Sequence, residues 1–331
     1  MPKTDSCDWR PHADLNILRI RATLMARIRS FFSHRDVLEV DTPVLSRFGT
    51  VDPAIESFRT SYSGPGHVDG LPLYLHTSPE FFMKRLLAAD SGAIYQLGHV
   101  FRNGEAGVRH NPEFMLLEWY QPGMDHHLLM SEIDDLLKWV LEDICVYSTP
   151  DRISYRQWFL DETGLDPWTD GVAAFRSFAH RQLDSVPTGM DNDGLDVWLD
   201  LIVSHWLEPR LGDRNLFVYG YPVSQASLAR VRIDEVAIAD RFELYLKGME
   251  LVNGYYELAD PVEQRRRFES DNAIRQRSGR QSVNMDQCLL SALDAGLPDC
   301  SGVALGFDRL VMLAAGLPDI ASAMPFGFTR I

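Results

Sequence analysis

Residues 241–258 read RFELYLKGMELVNGYYEL, two alternating apolar runs broken at Lys247-Gly248. That pattern predicts a β-hairpin. Glu243, Glu250 and Glu257 recur along it at a spacing of seven. If the turn folds Glu243 opposite Glu250, two carboxylates meet across adjacent strands, a contact that destabilises a sheet unless a cation lies between them. Magnesium bridging carboxylates and substrate phosphates fits that geometry, and Glu257 is left free to meet a substrate ammonium. Read in isolation, the segment also fits three solvated strand carboxylates.

Two further segments supply groups that an anionic substrate needs. Residues 101–114 (FRNGEAGVRHNPEF) join two apolar runs through a loop containing glycine. Arg102 can hold a phosphate or carboxylate with two parallel bonds, and His110 can add a second donor. Phe114 offers a ring face on which a base can stack for about 1–3 kcal/mol. A hairpin with a charged tip is the plainer reading. Residues 301–313 (SGVALGFDRLVML) run from an apolar strand with glycine breaks straight into an amphipathic helix, which puts Arg309 in a first helical turn. A cation there opposes the positive end of the helix dipole, so it points to an anionic ligand such as polyphosphate, unless Asp308 pairs with it as a local surface salt bridge. The glycine spacing is not that of a dinucleotide-binding turn.

Around these segments, Ile17, Ile20, Leu24, Ile28 and Phe31 predict a helix over about residues 15–35. Ser78-Pro79 predict an N-cap and a first-turn proline for a helix through about Ala89, with Glu80 at its amino end. Residues 127–146, 154–164, 171–183 and 194–208 predict helices separated by Pro150, Gly164-Leu165-Asp166-Pro167 and Val186-Pro187-Thr188-Gly189. Strand-like Leu216-Phe217-Val218-Tyr219 follows. With 331 residues, 45% of them hydrophobic, the chain can bury a sizeable core as one large domain. A formal charge of −15 argues against broad, sequence-independent binding to nucleic acid, and Arg265-Arg266-Arg267 reads as a solvated helix face. Cys7, Cys145, Cys288 and Cys300 have no metal-ligand spacing and are expected as reduced thiols. His126-His127 should begin a helix. The first ten residues include Asp5, Asp8 and Trp9 and have no apolar core like that of a signal peptide, and no later run is long enough to span a bilayer. A cytoplasmic location without membrane partners is therefore expected.

Together and in this order, the segments resemble the catalytic core of class II aminoacyl-tRNA synthetases, most closely the lysyl branch. Thr42-Pro43-Val44-Leu45 looks like the first motif of that family, whose proline lies at the dimer interface; residues 102–114 resemble the second motif and residues 302–312 the third. Residues 77–86 (TSPEFFMKRL) and 114–120 (FMLLEWY) are also similar to the lysyl enzymes, so the likeness spans about residues 15–318. It implies an α+β fold, a mostly antiparallel sheet flanked by helices. The implied division is an N-terminal extension of residues 1–14 and a catalytic domain of residues 15–331, with about residues 127–210 forming a helical insertion.

The resemblance also implies roles. ATP would be held by Arg102, Asn103, His110, Asn111, Phe114, Glu250, Leu251, Gly306 and Arg309, with Arg102 and Arg309 catalytic. Magnesium would lie on Glu243 and Glu250. The amino acid would meet Ser78, Pro79, Glu80, Glu118, Tyr120, Asn253, Glu257 and Ala304. Family members usually have glutamate two residues after the second-motif arginine, where it contacts the adenine amino group; here Gly104 stands there and Glu105 follows. Either the loop presents Glu105 instead, or adenine recognition rests on backbone groups and Phe114.

A lysyl-tRNA synthetase carries an N-terminal β-barrel that grips the anticodon, whereas here the first motif is already reached at Pro43. A core without that module is similar to the elongation factor P lysine ligase family, which charges a lysine of elongation factor P, not tRNA, with lysine or (R)-β-lysine, and which implies a homodimer. Ala304 stands where lysyl-tRNA synthetases generally have glycine. Its methyl group favours a substrate with a displaced amino group, as in β-lysine, by about 1–3 kcal/mol. Charging of tRNA or another small acceptor, and a noncatalytic regulatory role, are the alternatives.

Overall fold

The computed structural model describes residues 9–190 and 193–331; Cys7, Asp5, Asp8 and the start of the expected N-terminal extension lie outside them. Helix α1 (Leu15–Ser33) begins where the Asp14 carboxylate accepts from the N–H groups of Asn16 and Ile17, satisfying donors that a helix start leaves open. It buries Leu24, Ile28 and Phe31, the inward stripe of the apolar spacing. Short strands β1 (Leu38–Glu39) and β2 (Leu45–Ser46) lead to the hairpin of β3 (Arg59–Gly64) and β4 (His67–Leu75). In α2 (Glu80–Ala88) the cap residue is Pro79, one position later than expected, and the Ser78 hydroxyl accepts from the Glu80 N–H at 2.9 Å.

Strands β5 (Ile94–Phe101) and β6 (Glu113–Pro122) precede α3 (His126–Leu141), which starts at His126. It ends short of residue 146 because Glu142 turns extended and Asp143 takes a φ of 58°. Then come β7 (Asp151–Ser154), α4 (Tyr155–Thr163), α5 (Val172–Gln182), α6 (Leu195–Ile202), a π-helical turn at Val203–Leu207, and α7 (Glu208–Arg210). Gly164, at a φ of 72°, closes α4 with the left-handed cap that glycine adopts without strain. The chain continues through β8 (Asn215–Pro222), β9 (Val231–Ile233), β10 (Ala237–Leu246), β11 (Met249–Tyr256), α8 (Pro261–Arg277), α9 (Gln287–Ala295), β12 (Cys300–Gly306) and α10 (Phe307–Ala315).

The main sheet runs β1-β5-β6-β12-β11-β10-β8-β7, with β9 added beside β10. Only β1 with β5 and β7 with β8 pair in parallel; every other pair is antiparallel. Strands β2, β4 and β3 form a separate small sheet. Three buried clusters flank this framework. Leu24, Ile28, Leu136, Leu137, Leu310 and Val311 bring α1, α3 and α10 together. Trp158, Phe175, Trp198 and Leu199 of α4 to α6 pack with Leu216 and Val218 of β8. Met83, Leu87, Phe268, Leu289 and Leu290 join α2, α8 and α9. Each such side chain contributes about 1.5–3 kcal/mol on burial.

Charge placement differs from the simplest sequence reading at two points. Arg266 is exposed and pairs with Glu263 on the solvent side of α8, but Arg267 turns inward and donates to the carbonyls of Ser227 and Ala229 at 2.8 Å each. That arginine run is therefore only partly a solvated face. Nor does Asp308 pair with Arg309; it is buried, accepts from Arg21 of α1, and takes the Met115 N–H at 2.7 Å on its other oxygen. Arg309 is left free to face the sheet.

Candidate active site

Strand register gives the site its polarity. Glu118 pairs with Ala304, and Tyr120 with Gly302, between β6 and β12; Asn253 pairs with Ala304, and Tyr255 with Gly302, between β11 and β12. Residues near Phe114, Gly306 and Glu250 thus gather toward one end of these strands, and those near Tyr120, Gly302 and Glu257 toward the other. A cavity of about 1130 Å³ covers this surface and takes in sixteen of the eighteen residues expected to bind substrates or magnesium, from Ser78 to Arg309. Pro79 and Asn103 do not line it. Pro79 caps α2, and the Asn103 N–H donates to the Glu56 carbonyl at 2.7 Å.

At the first end, Arg102 follows β5 and its guanidinium lies 5.1 Å from the Phe114 ring centroid, a cation–π contact. Its Nε is buried without a partner, and one Nη is 3.8 Å from Glu105. Gly104 takes a φ of 87°, a conformation that favours glycine, and in that turn Glu105 comes to line the cavity. Arg309, in the first turn of α10, donates to the Glu250 carbonyl at 2.7 Å and to His110 Nε2 at 2.9 Å. Burial, and then the Arg309 charge, push His110 below its ordinary value. The neutral ring uses Nε2 as an acceptor here, instead of the donor role its sequence position suggests. Asn111 is similarly committed. Its amide donates to the Glu113 carbonyl at 2.6 Å and accepts the Phe328 N–H at 2.9 Å.

Along β10 and β11 the register corrects the expected pairing of carboxylates. Glu250 lies opposite Tyr245 because the Lys247-Gly248 turn pairs Leu246 with Met249, and a bulge between Leu244 and Tyr245 then carries Glu243 one residue further, opposite Asn253. The two glutamates still influence each other: burial and the neighbouring Glu243 raise Glu250 above the ordinary carboxylate range. Glu243 receives hydrogen bonds from Arg241 on one oxygen and from Tyr245 on the other. Arg241 also binds the Gln225 carbonyl at 2.8 Å. A protein cation therefore already stands beside this pair.

The far end is a cluster of carboxyl groups. Glu118 accepts from Ser78 at 2.8 Å and from Tyr120 at 2.7 Å. Burial, followed by the charge of Glu80, pushes Glu118 up to about 8. Glu257 is 1% exposed and is pushed up to about 7, chiefly by burial, against the pull of Lys84. A Cβ on Gly302 would overlap both the Tyr120 ring and Glu257 Oε1, so this position has room only for glycine.

A family model described as tRNA synthetases class II (D, K and N) matches residues 3–330. The chain belongs to that family. One relative of this class II synthetase is the elongation factor P–(R)-β-lysine ligase of Vibrio parahaemolyticus, 47% identical over 322 residues, or 97% of this chain and 98% of the relative. The ligase of the same name from Yersinia enterocolitica is 47% identical over 328 residues, 99% of each chain. That of Vibrio cholerae is 46% identical over 324 residues, 98% of each.

Three residues that shape the site of this class II synthetase were given no role by the sequence, although Arg241 and Lys84 lie within its motif segments. Arg241 alternates with Glu243 on one strand, a signal that reads equally as a surface pair. Lys84 stands four residues after Glu80, the spacing of a helical ion pair, yet nothing local shows that it is buried. Arg21 lies 287 residues from its partner Asp308, which no local pattern can connect.

Proposed function

We propose that this class II synthetase is an ATP-dependent ligase that activates lysine, in the form of (R)-β-lysine, as an aminoacyl-adenylate and transfers it to a lysine of elongation factor P. One observation carries the reading. A single cavity has guanidinium groups at one end and three carboxyl groups at the other, in a chain that matches nearly the whole length of relatives bearing that name. A diamino acid and a nucleotide triphosphate need these opposite charges in line.

In the first step a carboxylate oxygen of the amino acid attacks the α-phosphorus of ATP, and the bond to the departing pyrophosphate oxygen breaks. Positioning and charge neutralisation supply most of the acceleration in such transfers. Arg102 takes the charge shared by the α-phosphate and the carboxylate. Arg309, fixed by His110 and the Glu250 carbonyl, takes the terminal phosphates. The base stacks on Phe114, while Asn103, Asn111, Leu251 and Gly306 shape the surrounding backbone. Glu257 and Tyr120 receive the side-chain amine; Glu80 and Glu118, held by Ser78, receive the other, and Asn253 and Ala304 bound the space between. In the second step the acceptor lysine amine attacks the carbonyl carbon and loses a proton, and AMP leaves.

Glu243 and Glu250 would hold magnesium together with the substrate phosphates, Glu250 being the freer of the two because Arg241 and Tyr245 already occupy both Glu243 oxygens. Among the described residues no three histidine, cysteine or carboxylate groups gather to hold a metal by themselves, so the phosphates would complete the ligand set. Magnesium bound there neutralises negative charge on the phosphates.

The same reading makes elongation factor P, not tRNA, the acceptor, supported by the charge of −15. Exposed Leu38, Val44 and Leu45 around Pro43 support a homodimer through that face; sedimentation at low concentration tests it. No helix among the described residues is long and apolar enough to cross a membrane, and Cys145, Cys288 and Cys300 are free thiols, which supports a cytoplasmic setting. The deciding experiment incubates the protein with ATP, magnesium and either lysine isomer, offers elongation factor P or bulk tRNA, and weighs each acceptor. A lysyl increment on elongation factor P, larger with (R)-β-lysine, is expected. Lysine on tRNA alone would overturn the reading.

A further inference from the structure

The amino-acid end of the cavity contains a cation of its own. Lys84 lies on the buried face of α2 with its side chain 2% exposed, and its Nζ is 2.6 Å from Glu80 Oε1 and 2.7 Å from Glu257 Oε2. Glu257 is buried, with Lys84 and the Gly302 N–H as its partners. Glu118 has no cation beside it, only the hydroxyl groups of Ser78 and Tyr120. The groups acting on Lys84 are thus Glu80 on its own helix, Glu257 after β11, and Cys300 on β12, a thiol that burial pushes up to about 12; Glu118 and Tyr120 on β6 act on Glu80 and Glu257.

We infer that Lys84 is a built-in counter-ion that sets how many ammonium groups the pocket demands, so that a substrate with two is matched and a substrate with one is not. The count follows from the side chains. Three ionised carboxylates less one ammonium leave two negative charges, and a diamino acid brings two positive ones. This rests on reading the site as a lysine pocket and goes further by naming the residue that tunes it. Lys84 is a positioning residue, since it lies behind the carboxylates and touches the substrate only through them.

Charge matching of this kind has a proton signature. Burial by itself would lower Lys84, but Glu257 and Glu80 more than offset it and hold the group charged. Burial and Glu80 keep Glu118 largely protonated near neutral pH. Reaching two negative charges therefore requires Glu118, and the protonated fraction of Glu257, to lose their protons when the ammonium groups arrive. Binding should release a proton, and affinity for the diamino acid should improve as pH rises from about 6 toward about 8, while the substrate amines remain charged. Without Lys84, Glu257 loses the pull that lowers it and holds a proton as well, so three carboxyl groups facing two ammonium groups keep one proton in the complex and the pH trend moves to higher pH.

The test uses lysine-dependent pyrophosphate exchange and calorimetry. Wild-type protein titrated with lysine in two buffers of different ionisation enthalpy should release about one proton or more per site near pH 7. Lys84→Met should raise the KM for lysine by about tenfold or more, leave the KM for ATP within about twofold, and shift the pH trend to higher pH. Lys84→Arg, which keeps the charge, should retain the wild-type trend even if its bulk weakens binding. Absence of proton release by the wild type overturns the inference whether or not either variant folds, and so does a Lys84→Met enzyme with an unchanged pH trend. If the wild type shows no exchange with either lysine isomer, the reading of the site itself fails.

Discussion

Arg21 of α1 and Asp308 at the start of α10 form a buried ion pair, and the second Asp308 oxygen accepts the Met115 N–H of β6. One carboxylate thus ties a helix, the third-motif helix and a central strand together, directly beneath Arg309. Arg21→Met should leave Asp308 buried without its cation, at a cost of about 3–5 kcal/mol. Urea unfolding measures this. A double change of Arg21→Met with Asp308→Asn should cost less than the sum of the two single changes, since the residues share one interaction.

Gly302→Ala puts a methyl group where the Tyr120 ring and Glu257 Oε1 already lie. Strain from such overpacking is typically about 1–3 kcal/mol. Because the displaced groups belong to the carboxyl end, the KM for lysine should rise far more than the KM for ATP. Pyrophosphate exchange with each substrate varied in turn checks this, and equal effects on both would contradict the polarity of the site.

The carboxyl cluster makes stability depend on pH. Glu118 moves from an ordinary value of 4.5 up to about 8 on folding, so the folded state holds a proton that the unfolded state has released. Its contribution is fully present below about pH 4.5 and is lost as pH rises through about 8, at up to about 1.4 kcal/mol per unit. Glu118→Gln should flatten that slope in thermal unfolding measured across this range. A slope unchanged by the substitution would show that other groups carry it.

His110 accepts from Arg309 as a neutral ring. His110→Ala should release the guanidinium and weaken ATP binding by about tenfold, the equivalent of one charge-assisted hydrogen bond. His110→Gln, which retains an acceptor, should recover part of the loss. A KM for ATP that is the same in all three proteins would remove His110 from this role.

Arg102→Ala should reduce adenylate formation by about 100-fold to 1,000-fold, as loss of a transition-state donor does. Single-turnover pyrophosphate release reads that step directly. Normal release would place the neutralising charge elsewhere.

Much of this was written locally in the chain. The apolar spacing of Leu24, Ile28 and Phe31 marks the inward face of α1, and Gly164 marks the end of α4, because helical periodicity and a left-handed cap are properties of a few adjacent residues. The alternating runs on either side of Lys247-Gly248 likewise become β10 and β11. The order of the three charged segments was enough to bring the family into view, since each motif keeps its ligand-facing residues within about a dozen positions.

What the sequence could not carry were relations between distant atoms. A bulge between Leu244 and Tyr245 sets Glu243 opposite Asn253 where an unbroken two-residue hairpin would set it opposite Val252, and alternation alone cannot reveal one extra residue in a ladder. Asp308 chooses Arg21 over its neighbour Arg309, and Lys84 lies sealed between Glu80 and Glu257. Charge type and local conformation are fixed residue by residue, whereas burial and the choice of ionic partner arise only when separate elements pack, and these set the proton affinities on which the site depends.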